Sequence, residues 1–295
     1  MSARVIKPNA LTDAMLVSST AVESLPSWSA ETSYAINVRV LEGHRVYQSL
    51  VAANQGNLPS GSPLAWVDVG PSNRWAMFDG AVNTATTASN DLSVTMDTGL
   101  INSIALVGLT GASCRVRVWD APGGTLVYDS STYLDAAYVT DAYQYCFEPF
   151  VQMTEVVCVD IPPYLMARVQ VDVHGDQVGI GNMVFGMAYV LGDTQLGAGA
   201  GITDYSRKNT DDWGNTTLVQ RNYSKRSSLK LQLEQRDLNR VHRVLATLRA
   251  TACVWIGVDL SGYLPLVVFG YYRDFSIEIS YPTYSICSLE IEGLT

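Results

Sequence analysis

"SIALVGLTGASCRVRVWD", residues 103–120, decides the fold class. In "CRVRVWD" the charged Arg115 and Arg117 alternate with Val116 and Val118, the period of a strand with one wet face and one buried face. "SIALVGL" has no such alternation. It reads as a strand covered on both faces, lying inside a sandwich.

The same grammar continues on both sides. "LSVTM", "TLVYDS", "VVCVDIP", "ARVQVDV" and "QVGIGNMVFGMAYVLG" are short β-branched runs, punctuated by turns such as "APGGT", "IPPY" and "VHGDQ". Many short strands at this spacing predict a β-sandwich or jelly roll over 71–192. "GDTQLGAGAGITDYSRKNTDDWGN" lacks periodicity and reads as a linker, 193–215. Over 216–295 come strands, then a helix with Asp237 as N-cap, then strands again. Leu238, Val241, Leu245 and Leu248 follow helical spacing, with Arg240, Arg243 and Arg249 mostly on the other face. That predicts an α+β assembly domain with one helix. Upstream, 27–70 forms a small hairpin module turning at Gly43, and 1–26 forms a docking arm that orders against a partner. The fold class is mainly β.

Composition narrows the function. With 16% charged and 47% hydrophobic residues the chain is a folded protein, and no run approaches a membrane span. The net charge of −9 disfavours nucleic acid as a partner. It is unevenly placed: residues 204–249 carry ten Lys/Arg against five Asp/Glu, a local +5, so the remainder carries −14. Arg240, Arg243 and Arg249 then read as a solvated helix face or as a basic contact face for an acidic neighbour, including another copy of the chain. Five cysteines without CxxC spacing, and no recognisable signal segment, point to free thiols in a reducing cytoplasm.

The catalytic vocabulary is sparse, and the chain reads as a non-enzyme without cofactor or metal. No P-loop, HExxH, GxSxG or EF-hand pattern occurs. "GAGAGI", 197–202, sits between no strand and helix. Asp97, Asp120, Asp129, Asp160 and Asp172 offer carboxylates for an acid/base pair, but their spacing selects none, and strand-end turns use Asp equally well. Asp172, His174 and Asp176 alternate along a strand, as a cation site or as a polar strand edge.

Aromatics are more telling. Trp28, Tyr34, Tyr47 and Trp66 bracket a unit too small for a large aliphatic core, so they pack as its miniature core or present flat faces to sugars. In "GPSNRWAMFDG", 70–80, Trp75 and Phe78 lie between two turns and out of phase for one strand face. They read as a buried plug between the module and the sandwich, with sugar stacking at Trp75 as the other use.

The order Trp28, Tyr34, turn, Tyr47, Pro-containing loop, Trp66 resembles the small chitin- and cellulose-binding modules, departing from them at Ile36-Asn37 where Gly-Asp is usual. "RVIKPNALTDAMLVSST", then "NRWAMFD", "TDYSRKNTDDWGNTTLVQRNYSKR" and "FGYYRDFSIEISYPTYSICSLEIEGL" resemble bacteriophage tail-tip and baseplate proteins over essentially the whole chain. The middle region resembles the galactose-binding-type jelly roll. The resemblance implies a virion tail subunit, assembled in the host cytoplasm, whose partners are other tail proteins, copies of itself and a host cell-surface glycan. A glycan-binding adhesin and a polysaccharide-degrading enzyme are the alternatives.

Overall fold

One long strand organises the molecule. In a computed structural model that describes residues 1–136, 141–147, 149, 151–260, 262–279 and 281–294, Asn182–Thr194 belongs to two structures in succession. Its first half pairs with Ser103–Val107 and sends Met183 and Phe185 into one core. From Gly186 onward it pairs with Ser2–Pro8 and carries Leu191 into another.

The first core is a sandwich. Glu155–Cys158, Ser103–Val107 and the start of Asn182–Thr194 form one layer. A five-stranded antiparallel sheet forms the other, in the order Leu126–Tyr133, Ser113–Trp119, Arg168–His174, Leu92–Asp97, Leu16–Ser19. The reading of 103–120 holds. Ile104 and Leu106 face the sandwich core, while Ala105 lies in a separate cluster on the other side with Ile6, Val254 and Phe269. Cys114, Val116 and Val118 point in; Arg115 and Arg117 point out and pair with Asp129 and Asp172.

The second core is a barrel. From Asn182–Thr194 the sheet runs through Ser2–Pro8, Cys253–Ile256, Val267–Glu278, Tyr284–Gly293 and Tyr223–Glu234, then returns, because Asp193 and Thr194 pair with Gln232 and Leu231. Six antiparallel strands therefore close on themselves, which removes two sheet edges. Val5, Leu231, Trp255, Val268 and Leu289 fill the inside, and the helix Leu238–Thr247 adds Val241 and Leu245. The seam depends on Gly192, at φ +154°: a Cβ there would stand 2.7 Å from the Gln232 carbonyl oxygen and 2.6 Å from Leu233 Cδ2.

Several expectations change. The segment 1–26 is not a free arm: Ser2–Pro8 is a central barrel strand and Leu16–Ser19 the edge of the five-stranded sheet. Ala3 and Val5 serve the barrel while Ile6 serves the cluster outside it, so the segment has no single apolar face to read. Residues 193–215 are not a linker. They hold the end of the long strand, the edge strand Gly199–Asp204 and the first half of a hairpin, Arg207–Thr210 with Thr216–Val219. These strands are exposed almost throughout, which leaves no hydrophobic period. The 216–295 region is not self-contained either, since the barrel needs strands from both earlier segments. The helix begins after Asp237 as expected, but the Asp237 side chain does not cap it and instead accepts from Arg240. Among the described residues a second short helix, Ala142–Phe147, also occurs.

The expected hairpin module is a three-stranded sheet, Arg39–Glu42, Arg45–Ser49 and Trp66–Pro71.

Candidate functional site

The module buries its own aromatics. Trp66 is 2% and Tyr34 7% exposed, in an edge-to-face pair with centroids 5.4 Å apart, packed with Val40 and Ala65. Their polar ends are used internally: Trp66 Nε1 donates to the Asn57 carbonyl at 2.9 Å, and the Tyr34 hydroxyl accepts from Ser29 N at 2.7 Å. Trp28 and Tyr47 pack half-buried against the same cluster. The four rings therefore form no shared sugar platform, because a module this small spends its rings on its core.

Trp75 and Phe78 lie on a short 3-10 turn, Ala76–Phe78, not on a strand. Trp75 is flanked by His44 of the module, with ring centroids 3.7 Å apart, and by Phe78 at 6.0 Å. Phe78 in turn packs on the sandwich core. Trp75 thus sits at the junction where a buried plug was expected, but Trp75 and Phe78 are both only partly buried. Glu23 reinforces it from the N-terminal segment, its carboxylate accepting from Asn73 N at 3.1 Å and Arg74 N at 2.8 Å.

Beside this junction opens a cleft of about 400 Å³. Trp28, Trp75, Glu23, Glu42 and Arg74 line it. Glu42 is held by Ser60, whose N donates at 2.8 Å and whose Oγ donates at 3.0 Å. The Trp28 indole N–H is buried and has no hydrogen-bond partner among the described residues. Sequence reasoning found the two tryptophans but neither carboxylate. Glu23 reaches its partners across some fifty residues, and Glu42 is an ordinary strand-end residue, the last of Arg39–Glu42.

The other candidates disperse. Asp97 forks with Arg168 and Asp129 with Arg115, Asp160 accepts a single bond from Arg4, and Asp120 accepts from Thr125 N. Burial raises the Asp172 pKa, but hydrogen bonds from Ser93, Arg117 and Gln170 more than compensate and leave it below the ordinary range. His174 faces Asp91, and Asp172, His174 and Asp176 do not converge; no metal-binding cluster occurs among the described residues. "GAGAGI" enters the edge strand Gly199–Asp204. On the helix, Arg240 is drawn to Asp237 and to the Val190 carbonyl at 2.9 Å while Arg243 is exposed, and Arg249, just past the helix end, is drawn to the Ala246 carbonyl at 3.1 Å. The basic face is thus partly spent within the chain.

One surface has no counterpart in the expectations. The hairpin of Arg207–Thr210 and Thr216–Val219 is exposed on both faces, with Trp213 at its tip 90% and Leu218 76% exposed. No protein-family model matches the chain, and no curated protein matches its sequence significantly.

Proposed function

We propose that the chain is a structural subunit of a bacteriophage tail, at the tip or baseplate, which docks copies of itself and neighbouring tail proteins and contributes to host-surface attachment. The exposed hairpin carries the reading. A two-stranded hairpin alone is marginal in water, and apolar residues displayed on both faces gain stability only by burial against another surface. Trp213 and Leu218 are large enough to anchor such a contact. The hairpin itself is charge-balanced, Arg207 and Lys208 against Asp211 and Asp212; the basic excess follows it in the chain, where 223–249 carries seven Lys/Arg against two Asp/Glu, and that stretch is attracted to another copy's acidic body. The resemblance of the N-terminal and "NRWAMFD" segments to tail-tip proteins supplies the biological setting.

Sedimentation of the purified chain tests the reading. The intact chain should associate as concentration rises, and Trp213→Ser with Leu218→Ser should shift it to monomer. Antibody against the chain should then label one end of the tail in purified phage particles. A chain that stays monomeric and labels no particle overturns the proposal.

A further inference from the structure

We infer that the cleft between the small module and the sandwich is a binding site for a short neutral saccharide. It does not rest on the tail reading, since it uses none of the surface through which subunits would dock.

Two tryptophans from different units meet at this cleft, Trp28 from the module and Trp75 from the start of the sandwich segment. Indole faces accept the C–H faces of pyranose rings, where apolar contact requires no buried polar group. Trp75 is pre-positioned, held by His44 at 3.7 Å and Phe78 at 6.0 Å, so it loses little freedom when a ligand arrives. Polar groups stand beside the rings. The Glu23 and Glu42 carboxylates are each fixed by two hydrogen bonds from the chain and keep further lone pairs for hydroxyl donors. The Arg74 guanidinium is exposed at the same cleft and donates to hydroxyl and ring oxygens. The Trp28 N–H is buried without a partner among the described residues, an unsatisfied donor on one of the cleft's lining rings.

Shape and charge narrow the class. A volume of about 400 Å³ suits one or two sugar rings. Two carboxylates against one arginine leave the cleft net negative, which disfavours uronic and sialic acids and favours neutral sugars.

The experiment uses the full chain against an array of neutral oligosaccharides (gluco-, galacto-, manno- and N-acetylglucosamine series), followed by titration of the hits by tryptophan fluorescence. Glu42→Gln, Arg74→Ala and Trp75→Phe each preserve the local shape closely enough to fold, which circular dichroism checks. At least one neutral oligosaccharide should bind, and Glu42→Gln and Trp75→Phe should each weaken it by about tenfold or more, the loss of one good polar or stacking contact. Trp213→Ala, remote on the hairpin, should leave the titration unchanged. An array with no neutral hit overturns the inference. So does binding that survives the cleft variants or that Trp213→Ala abolishes, and so does a preference for acidic sugars.

Discussion

The imidazole of His44 packs on the indole of Trp75 with centroids 3.7 Å apart, and its Nε2 lies 2.7 Å from Asp13 Oδ1. One ring therefore ties three stretches of chain together: the N-terminal segment, the module's turn between Arg39–Glu42 and Arg45–Ser49, and the start of the sandwich segment. Ser72 N donating to the His44 carbonyl at 2.7 Å adds a backbone tie at the same place. His44→Ala removes both ring contacts and leaves Asp13 unpartnered by His44. The expected cost is about 1–2 kcal/mol, an aromatic contact plus an exposed polar one. It should fall on the module's attachment rather than on the sandwich. Limited proteolysis should show faster cleavage on either side of 27–70 with the sandwich fragment intact. An unaltered cleavage pattern would show that the backbone contacts alone fix the module.

Acid should loosen the barrel at Asp259. Burial pushes this carboxyl's pKa up, but hydrogen bonds from Ser2, through both N at 3.0 Å and Oγ at 2.6 Å, and from Arg4 bring it below its ordinary value. A depressed folded pKa means the contribution is fully present above the unfolded value of about 3.9 and disappears as pH falls through the folded one. Arg4 also pairs with Asp160, so the same arginine joins the barrel to the loop after Glu155–Cys158. Asp259→Asn should cost about 1–3 kcal/mol near neutral pH and less below pH 3, as the charge-assisted bonds to Ser2 and Arg4 are lost. Chemical denaturation at several pH values measures this. A variant whose deficit is constant from pH 7 to pH 2 would place the cost in packing instead.

Thiol reactivity should divide the cysteines four to one. Burial pushes the Cys114 and Cys253 thiols up to about 12 and Cys287 to about 11, and raises Cys158 as well, while Cys146 is exposed. Only thiolate reacts readily, so a disulfide reagent at pH 8 should label one thiol quickly in the native chain and five after denaturation. Cys146→Ser should abolish the fast phase. Two or more fast thiols would mean that a strand of the sandwich or barrel opens under native conditions.

Strand existence was legible where one stretch served one core. Residues 113–119 and 168–173 alternate cleanly because each packs on a single layer, and "SIALVGL" betrayed its two covered faces by lacking a period. The barrel was not legible. Its strands come from residues 2–8, 182–194 and 223–293, and closure turns on two residue pairs, Asp193 with Gln232 and Thr194 with Leu231, between segments with no shared local signal. The cleft was half legible. Large rings cannot hide in a small composition, so Trp28 and Trp75 drew notice, but Glu23 and Glu42 became part of it only through folding.

Gly186 marks the point where sandwich becomes barrel, and it is among the positions least able to accept a side chain. It pairs with Ser103 on one side and Pro8 on the other, and its carbonyl accepts from Ser103 Oγ at 2.8 Å and Asn102 N at 3.2 Å. A Cβ there would stand 2.1 Å from the Lys7 carbonyl oxygen. The obstacle is backbone on a central strand, so relief requires Ser2–Pro8 to move, not a side chain to rotate. Gly186→Ala should cost about 3 kcal/mol or more, at the upper end for overpacking, and should weaken barrel and sandwich together. Gly43 provides the contrast. It has φ +59° with nothing within 4 Å, so Gly43→Ala meets only the left-handed backbone penalty of about 1–2 kcal/mol and should disturb the module alone. Hydrogen exchange separates the two cases: faster exchange in both Ser103–Val107 and Ser2–Pro8 for Gly186→Ala, and in neither for Gly43→Ala. Exchange that quickens on only one side of Gly186 would show that the two cores are joined by this strand without being energetically coupled through it.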